Sequence, residues 1–195
     1  MKILVACEYS GIVRDEFLKK GHDAISCDIL PCESEYYTKS DRHYQGDVMD
    51  ILNDGWDMMI AHPPCTHLSV SGARWFTSGH KPMYLREEAI EFVRTLMEAD
   101  IEKICIENPV SVISSYIRKS DQTINPYQFG HKEYKRTCLW LKNLPKLVET
   151  DNVKEETDKL PVSEKNRIWY MGSGKGKERS KFYKGIAKAM AEQWG

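Results

Sequence analysis

Short apolar runs alternate with amphipathic stretches along most of the chain. Lys2 to Cys7 is apolar apart from its first residue and is followed by Glu8, the pattern of a short buried strand. From Gly11 to Lys20, Ile12, Val13, Phe17 and Leu18 recur at helical spacing, and Gly21 suits a helix stop. Asp23 to Asp28 predicts a second strand, ended before Leu30-Pro31, and Trp56 to Ala61 a third, closed by Pro63-Pro64. Leu85 to Ala99 carries Leu85, Ala89, Ile90, Phe92, Val93, Leu96 and Met97 on one stripe, with Arg86, Glu87, Glu88 and Glu91 outside it. Ile104 to Ile106 reads as a strand halted by Asn108-Pro109, Val112 to Arg118 as a short helix, Thr137 to Leu141 as a strand and Ser180 to Gln193 as a terminal helix.

Strands separated by helices predict an α/β fold built on a parallel sheet. Such folds bind ligands at the carboxyl ends of their strands. Glu8, Asp28, Cys65 and Glu107 each fall at or just after a predicted strand end, so they are expected along one edge.

Three constellations at that edge carry candidate chemistry. In His62-Pro63-Pro64-Cys65 two prolines stiffen the turn and hold a thiol at the sheet rim, and a rim-exposed cysteine is a candidate nucleophile. In Ile106-Glu107-Asn108-Pro109 a carboxyl directly after a strand is placed to hydrogen-bond a ring nitrogen. In Glu8-Tyr9-Ser10-Gly11 a glycine lets backbone approach a ligand near a helix N-terminus. Asp28 is placed for ribose hydroxyls and Asp47 for an adenine amine, so this group reads as an adenosyl-cofactor site. His62, Cys65 and His67 could offer three zinc ligands, but prolines separate the first two and no second ligand pair follows, so no metal is expected. A zinc-dependent deaminase needs Cys-x-x-Cys after the proline and His-x-Glu before it, and neither is present. Trp75-Phe76, on the loop after Cys65, is read as loop packing or as a base-stacking contact. His67 and His80 are expected to be exposed, and Trp140 and Trp169-Tyr170-Met171 to lie in the core.

Composition narrows this picture. With 195 residues, 41% hydrophobic and 29% charged, the chain is expected to be one globular catalytic domain over 1–195. Its net charge of −1 advertises neither nucleic acid nor an anionic membrane. The charge is unevenly spread. Lys165 to Lys184 holds seven basic residues and one acid, a net +6, leaving −7 for the rest. That stretch contains Gly-Ser-Gly-Lys-Gly without phosphate-loop spacing; it reads as a solvated loop or as a phosphate-backbone contact through Lys175, Lys177 and Arg179. Glu149 to Asp158, with five acids and one lysine, reads as a solvated loop. The six cysteines form no Cys-x-x-Cys pair, and no leader or membrane span is legible. A cytoplasmic monomer with reduced cysteines is the expectation.

The order of Pro-Pro-Cys, then Glu-Asn-Pro, then Arg136 before the strand Thr137 to Leu141 resembles the DNA cytosine-C5 methyltransferases. Cys7-Glu8-Tyr9-Ser10-Gly11 stands where their first cofactor motif stands, and Ser180 to Ala187 is similar to their last. The likeness is nearest to compact phage-type members that lack a large target-recognition domain, since only 142–180 is available for one. The resemblance implies a Rossmann-like class I S-adenosylmethionine-dependent methyltransferase fold, a mostly parallel twisted sheet flanked by helices. It implies that Cys65 attacks C6 of cytosine in DNA, that Glu107 binds N3 and the exocyclic amine, and that Arg136 holds the base or the developing charge. S-adenosylmethionine is implied as cofactor, held by Glu8, Ser10, Gly11, Asp28, Asp47 and Pro63. The base must leave the stack, so the substrate is single-stranded DNA or a duplex with a flipped base, in a bacterial or phage-infected cell. Here the first motif is poorer in glycine than in most relatives, and of the basic run before the last strand only Arg136 aligns well, with Lys135 the weaker match. The alternatives are C5 chemistry on single-stranded DNA, RNA or a nucleotide, and a non-catalytic DNA- or cofactor-binding relative.

Overall fold

The computed structural model describes residues 1–34, 42–171 and 174–195, without the side chains of 71 and 73. The apolar runs become strands of a seven-stranded sheet. They are β1 (Lys2–Ala6), β2 (Asp23–Asp28), β3 (His43–Gln45), β4 (Met58–Ala61), β5 (Lys103–Pro109), β6 (Gln122–Ile124) and β7 (Thr137–Lys142). Their spatial order is β3-β2-β1-β4-β5-β7-β6. β3, β2, β1, β4 and β5 pair in parallel, and β7 runs antiparallel to both β5 and β6. The sheet is therefore mostly parallel with one reversed strand. Reversal puts the start of β7 level with the end of β5, Thr137 beside Pro109.

Helices α1 (Ile12–Lys19), α2 (Ala73–Thr77), α3 (Tyr84–Glu98) and α4 (Ile113–Tyr116) follow β1, β4 and β5. Short helices α5 (Lys154–Asp158), α6 (Val162–Lys165), α7 (Arg167–Tyr170) and α8 (Gly176–Ser180) precede the terminal α9 (Lys184–Trp194). Side chains alternate across each strand, so the sheet feeds two cores. Ile3, Val5, Met58 and Ile60 meet Val13 and Phe17 of α1 and Ile186 and Met190 of α9. Leu4, Ala6, Met59 and Ala61 meet Ile90, Val93 and Leu96 of α3.

Three expectations change. The last helix begins at Lys184, four residues later than the periodicity suggests, because Tyr183 is extended. Trp140 is buried as expected, but Trp169 and Tyr170 are 77% and 59% exposed; α7 is a four-residue turn outside both cores. His80 is exposed while His67 is partly buried, its ring edge-on to Phe76.

α9 docks through one close approach. The Gly185 N–H donates to His131 Nε2 at 2.9 Å. A Cβ at Gly185 would penetrate the Phe129 carbonyl oxygen and lie 3.0 Å from His131 Nε2. Since the obstacle is backbone, Gly185→Ala is expected to cost about 3 kcal/mol, the upper end for overpacking. Urea unfolding measures it; a wild-type midpoint would show that the Phe129 backbone yields freely.

Candidate active site

Strand order reverses between β1 and β4. β1 leads into α1 on one face and β4 into α3 on the other, which leaves a crevice at their carboxyl ends. Cys7, Glu8, His62 and Cys65 stand there. Glu107 lies in the buried part of β5, one residue before the buried Asn108, and Lys135 and Arg136 lead into the reversed β7.

The β1–α1 turn is built around a buried acid. Cys7 takes a left-handed conformation, φ 58°. The Glu8 carboxylate accepts from the amides of Val13 (2.7 Å) and Arg14 (3.3 Å) and from the Ser10 hydroxyl (3.2 Å). It thus satisfies amides that the first turn of a helix leaves open, at the electropositive end. Burial pushes this carboxyl up; His62 first, then the two amides, draw it back. Gly11 sits at φ +70°, and a Cβ there would lie 2.6 Å from Arg14 Nη2 and 2.7 Å from Ser34 Cβ. The space that Gly11 leaves is filled by the buried Arg14 guanidinium, which bonds Asp15 and Ser26. The Tyr9 hydroxyl donates to the Lys177 carbonyl, tying α8 over this turn.

Beside it, the end of β2 offers polar and apolar groups together. Asp28 Oδ1 accepts from the Leu30 amide at 2.9 Å, Ile29 is exposed, and Asp47 accepts from the Met49 amide at 3.0 Å. Both acids act on Cys7, whose thiol is pushed up mainly by burial. Cys27 is pushed up to about 12 by burial, then by Asp28 and Asp47. Two acids beside an exposed apolar side chain fit the hydroxyls, amine and ring face of an adenosyl group. Glu8, by contrast, spends its oxygens inside the protein.

The β4–β5 side carries the thiol. The Pro63 carbonyl accepts from Asn108 Nδ2 at 2.8 Å, and the Cys65 carbonyl accepts from the Leu68 and Ser69 amides at 3.1 and 2.9 Å. This clamp presents Cys65 exposed at the rim. Its side chain reaches solvent, yet surrounding protein still desolvates it. Desolvation and then Glu107 push the thiol up; Lys135 and Arg179 pull it down. Lys135 is half-buried, its Nζ donating to the Arg179 carbonyl at 3.2 Å, whereas Arg136 is exposed. Glu107 is 9% exposed, and its Oε2 lies 3.0 Å from His62 Nδ1. The His62 ring packs on Phe182 at 4.7 Å. Phe182 in turn lines a cavity of about 840 Å³ with Ile12, His131, Arg167 and Tyr183.

The structure thus brings together Cys65, Glu107, Lys135 and Arg179 at one side of the edge, and Asp28 and Asp47 at the other. Trp75 is 41% exposed beneath the Arg74 guanidinium. Lys175, Lys177 and Arg179 are exposed, but Lys175 pairs with Glu178, and Lys177 and Lys181 both pair with Glu33. Gly172 and Ser173 of the glycine-rich stretch lie outside the described residues. Among the described residues no three His, Cys, Asp or Glu side chains form a metal-binding group. No described helix is long and apolar enough to cross a membrane. The residues that sequence reasoning underrated are His62 and Lys135. The first was legible in principle: parallel pairing of Ala61 with Ile106 makes His62 and Glu107 the next pair along.

No protein-family model matches the chain, and no curated protein matches it. Solved structures do. One is an E. coli prophage-encoded protein assigned as a DNA modification methyltransferase, at 17% identity and TM-score 0.50, covering 82% of this chain and 55% of that one. Another is the Entamoeba histolytica methyltransferase EhMeth, at 15% identity and TM-score 0.51, covering 77% of this chain and 57% of that one. The chain shares the α/β, Rossmann-like fold of these methyltransferases. It spans little more than half the length of either.

The charges around Cys65 set a testable order. Removing the Glu107 charge lowers the thiol's pKa, and removing Lys135 raises it further, because a negative neighbour disfavours the thiolate and a positive one favours it. Iodoacetamide alkylation of Cys65 at a fixed mildly alkaline pH is therefore expected to run several-fold faster in Glu107→Gln and slower in Lys135→Ala. Equal rates in all three proteins would refute the electrostatic account.

Proposed function

We propose that the protein methylates C5 of cytosine in DNA through a covalent Cys65 adduct, with S-adenosylmethionine as methyl donor. The observation that carries this reading is the convergence of an exposed, proline-clamped thiol with a buried carboxyl whose field reaches it. Cytosine C5 is a weak nucleophile until something adds at C6, and covalent attack divides that difficulty into two steps. The Cys65 thiolate forms the Sγ–C6 bond while the C5=C6 pair moves toward C5. Glu107 shares a proton with N3 and accepts a hydrogen bond from the 4-amine, and so stabilises the charge that attack pushes into the ring. Lys135 and Arg179 favour the thiolate, and Arg136 contacts the base from the rim. When bound, the cofactor supplies an electrophilic methyl group to C5; Asp28 and Asp47 hold its adenosyl part, and the buried Pro63 and the Ser10–Gly11 turn shape its surroundings. Loss of the C5 proton returns the electron pair to C5=C6 and expels Cys65.

Single-stranded DNA is the favoured form of substrate. Among the described residues, the segment from Asn143 to Tyr183 forms the short helices α5–α8, too little for a separate duplex-reading domain within it. Trp75, Trp169 and Arg179 are exposed, and aromatic faces with positive charge are the groups that hold unpaired bases.

DNA containing 5-fluorocytosine tests the chemistry, because fluorine cannot leave C5 as a proton does. A covalent adduct dependent on S-adenosylmethionine is expected, faster with single-stranded than with duplex DNA, and absent in Cys65→Ser. No adduct with any DNA would sink the mechanism, and faster duplex trapping would sink the strand preference.

A further inference from the structure

We infer that His62 is a positioning residue of this site: through Nδ1 it pins one oxygen of Glu107 and so fixes the face that the carboxyl presents to the pyrimidine. This rests on the C5 reading above, but its geometry can be tested separately. A glutamate's terminal torsion is broad and nearly free. A carboxyl that must meet both N3 and the 4-amine needs a single orientation, and small misplacements of reacting groups are costly.

Several independent features hold the His62 ring. Its amide donates to the Ala6 carbonyl at 2.9 Å, locking it to β1. The ring packs tilted, at 54°, against Phe182 from the segment before α9. Its Nδ1 lies 3.0 Å from Glu107 Oε2 on β5. Two acids face the ring, Glu107 from β5 and Glu8 from the β1–α1 turn; Lys135 before β7 and Arg179 on α8 act on Cys65, further along the same loop.

The tautomer follows from these partners. A carboxylate oxygen only accepts, so Nδ1 must carry the proton. Nε2 is buried with no partner among the described residues. The geometry therefore places a proton on Nδ1, the nitrogen that faces Glu107.

Long-range proton–nitrogen spectra of 15N-histidine-labelled protein read this directly, with His62→Asn assigning the signal among six histidines. The wild type is expected to show Nδ1 protonated, and Glu107→Ala to lose the Nδ1 proton in favour of Nε2. The 5-fluorocytosine trap supplies the functional arm. His62→Ala is expected to slow maximal adduct formation by about 10- to 100-fold, the cost of misplacing a reacting group, with the DNA half-saturation unchanged. His62→Asn, whose amide N–H takes the place of Nδ1–H, is expected to recover most of the rate. A bare Nδ1 in the wild type, wild-type trapping by His62→Ala, or an Asn variant as slow as Ala would each overturn the inference. If the wild type traps no DNA, the C5 reading falls, and the tautomer alone decides whether His62 orients Glu107.

Discussion

The reversal of strand order between β1 and β4 is the constraint on which the rest of the structure depends. The two strands are bonded neighbours along their length, yet their following helices go to opposite faces. Neither helix can cover the carboxyl ends, so the backbone there must find partners from turns. Glu8 meets that need for α1, and the His62 amide meets it for the β1 edge.

Two largely buried carboxyls at one edge demand management, because an isolated buried charge is costly. Each has been given a different donor set. Glu8 faces helix amides and a hydroxyl, which fixes it as part of the scaffold. Glu107 faces a histidine ring, which leaves part of its hydrogen-bonding capacity for a ligand. The thiol between them and the solvent is held back by burial and by Glu107. A ligand that engages Glu107 and shares a proton with it relieves part of that field. On the proposed C5 chemistry, nucleophile activation is then coupled to base binding, and the thiol is guarded against stray electrophiles until a base engages Glu107.

Much of this was legible in the chain. The apolar runs of β1, β2, β4, β5 and β7 and the stripes of α1 and α3 have unmistakable periods. Two strands were invisible for a physical reason: His43–Gln45 and Gln122–Ile124 are three-residue edge or near-edge strands, held by backbone pairing and not by an apolar run. Missing β6 also hid the reversal of β7, since strand direction is not written in side-chain period. Strand ends placed Cys65 and Glu107 correctly at one edge, but not the neighbours that charge them. Lys135 and Arg136 are adjacent in sequence, and packing alone turns one toward Arg179 and leaves the other at the surface. Trp169 and Tyr170 misled because large aromatics usually mark a core, and here the local helix is too short to reach one.

Charge bears on the proposed choice of substrate. Lys165 to Lys184 carries a net +6, but that figure overstates what a nucleic acid would meet. Lys177 and Lys181 share Glu33, and Arg167 lies on Glu133. A phosphate can bind these cations only by displacing a carboxylate already there, so each contact returns less than an unpaired lysine would. Affinity for a duplex rests chiefly on many such phosphate contacts. A strand with accessible bases has a second source of binding in the exposed aromatic faces. The internal pairing that steadies the α8 segment over Tyr9 therefore weakens the case for a rigid duplex and strengthens the case for an unpaired base delivered to the crevice between Cys65 and Glu107.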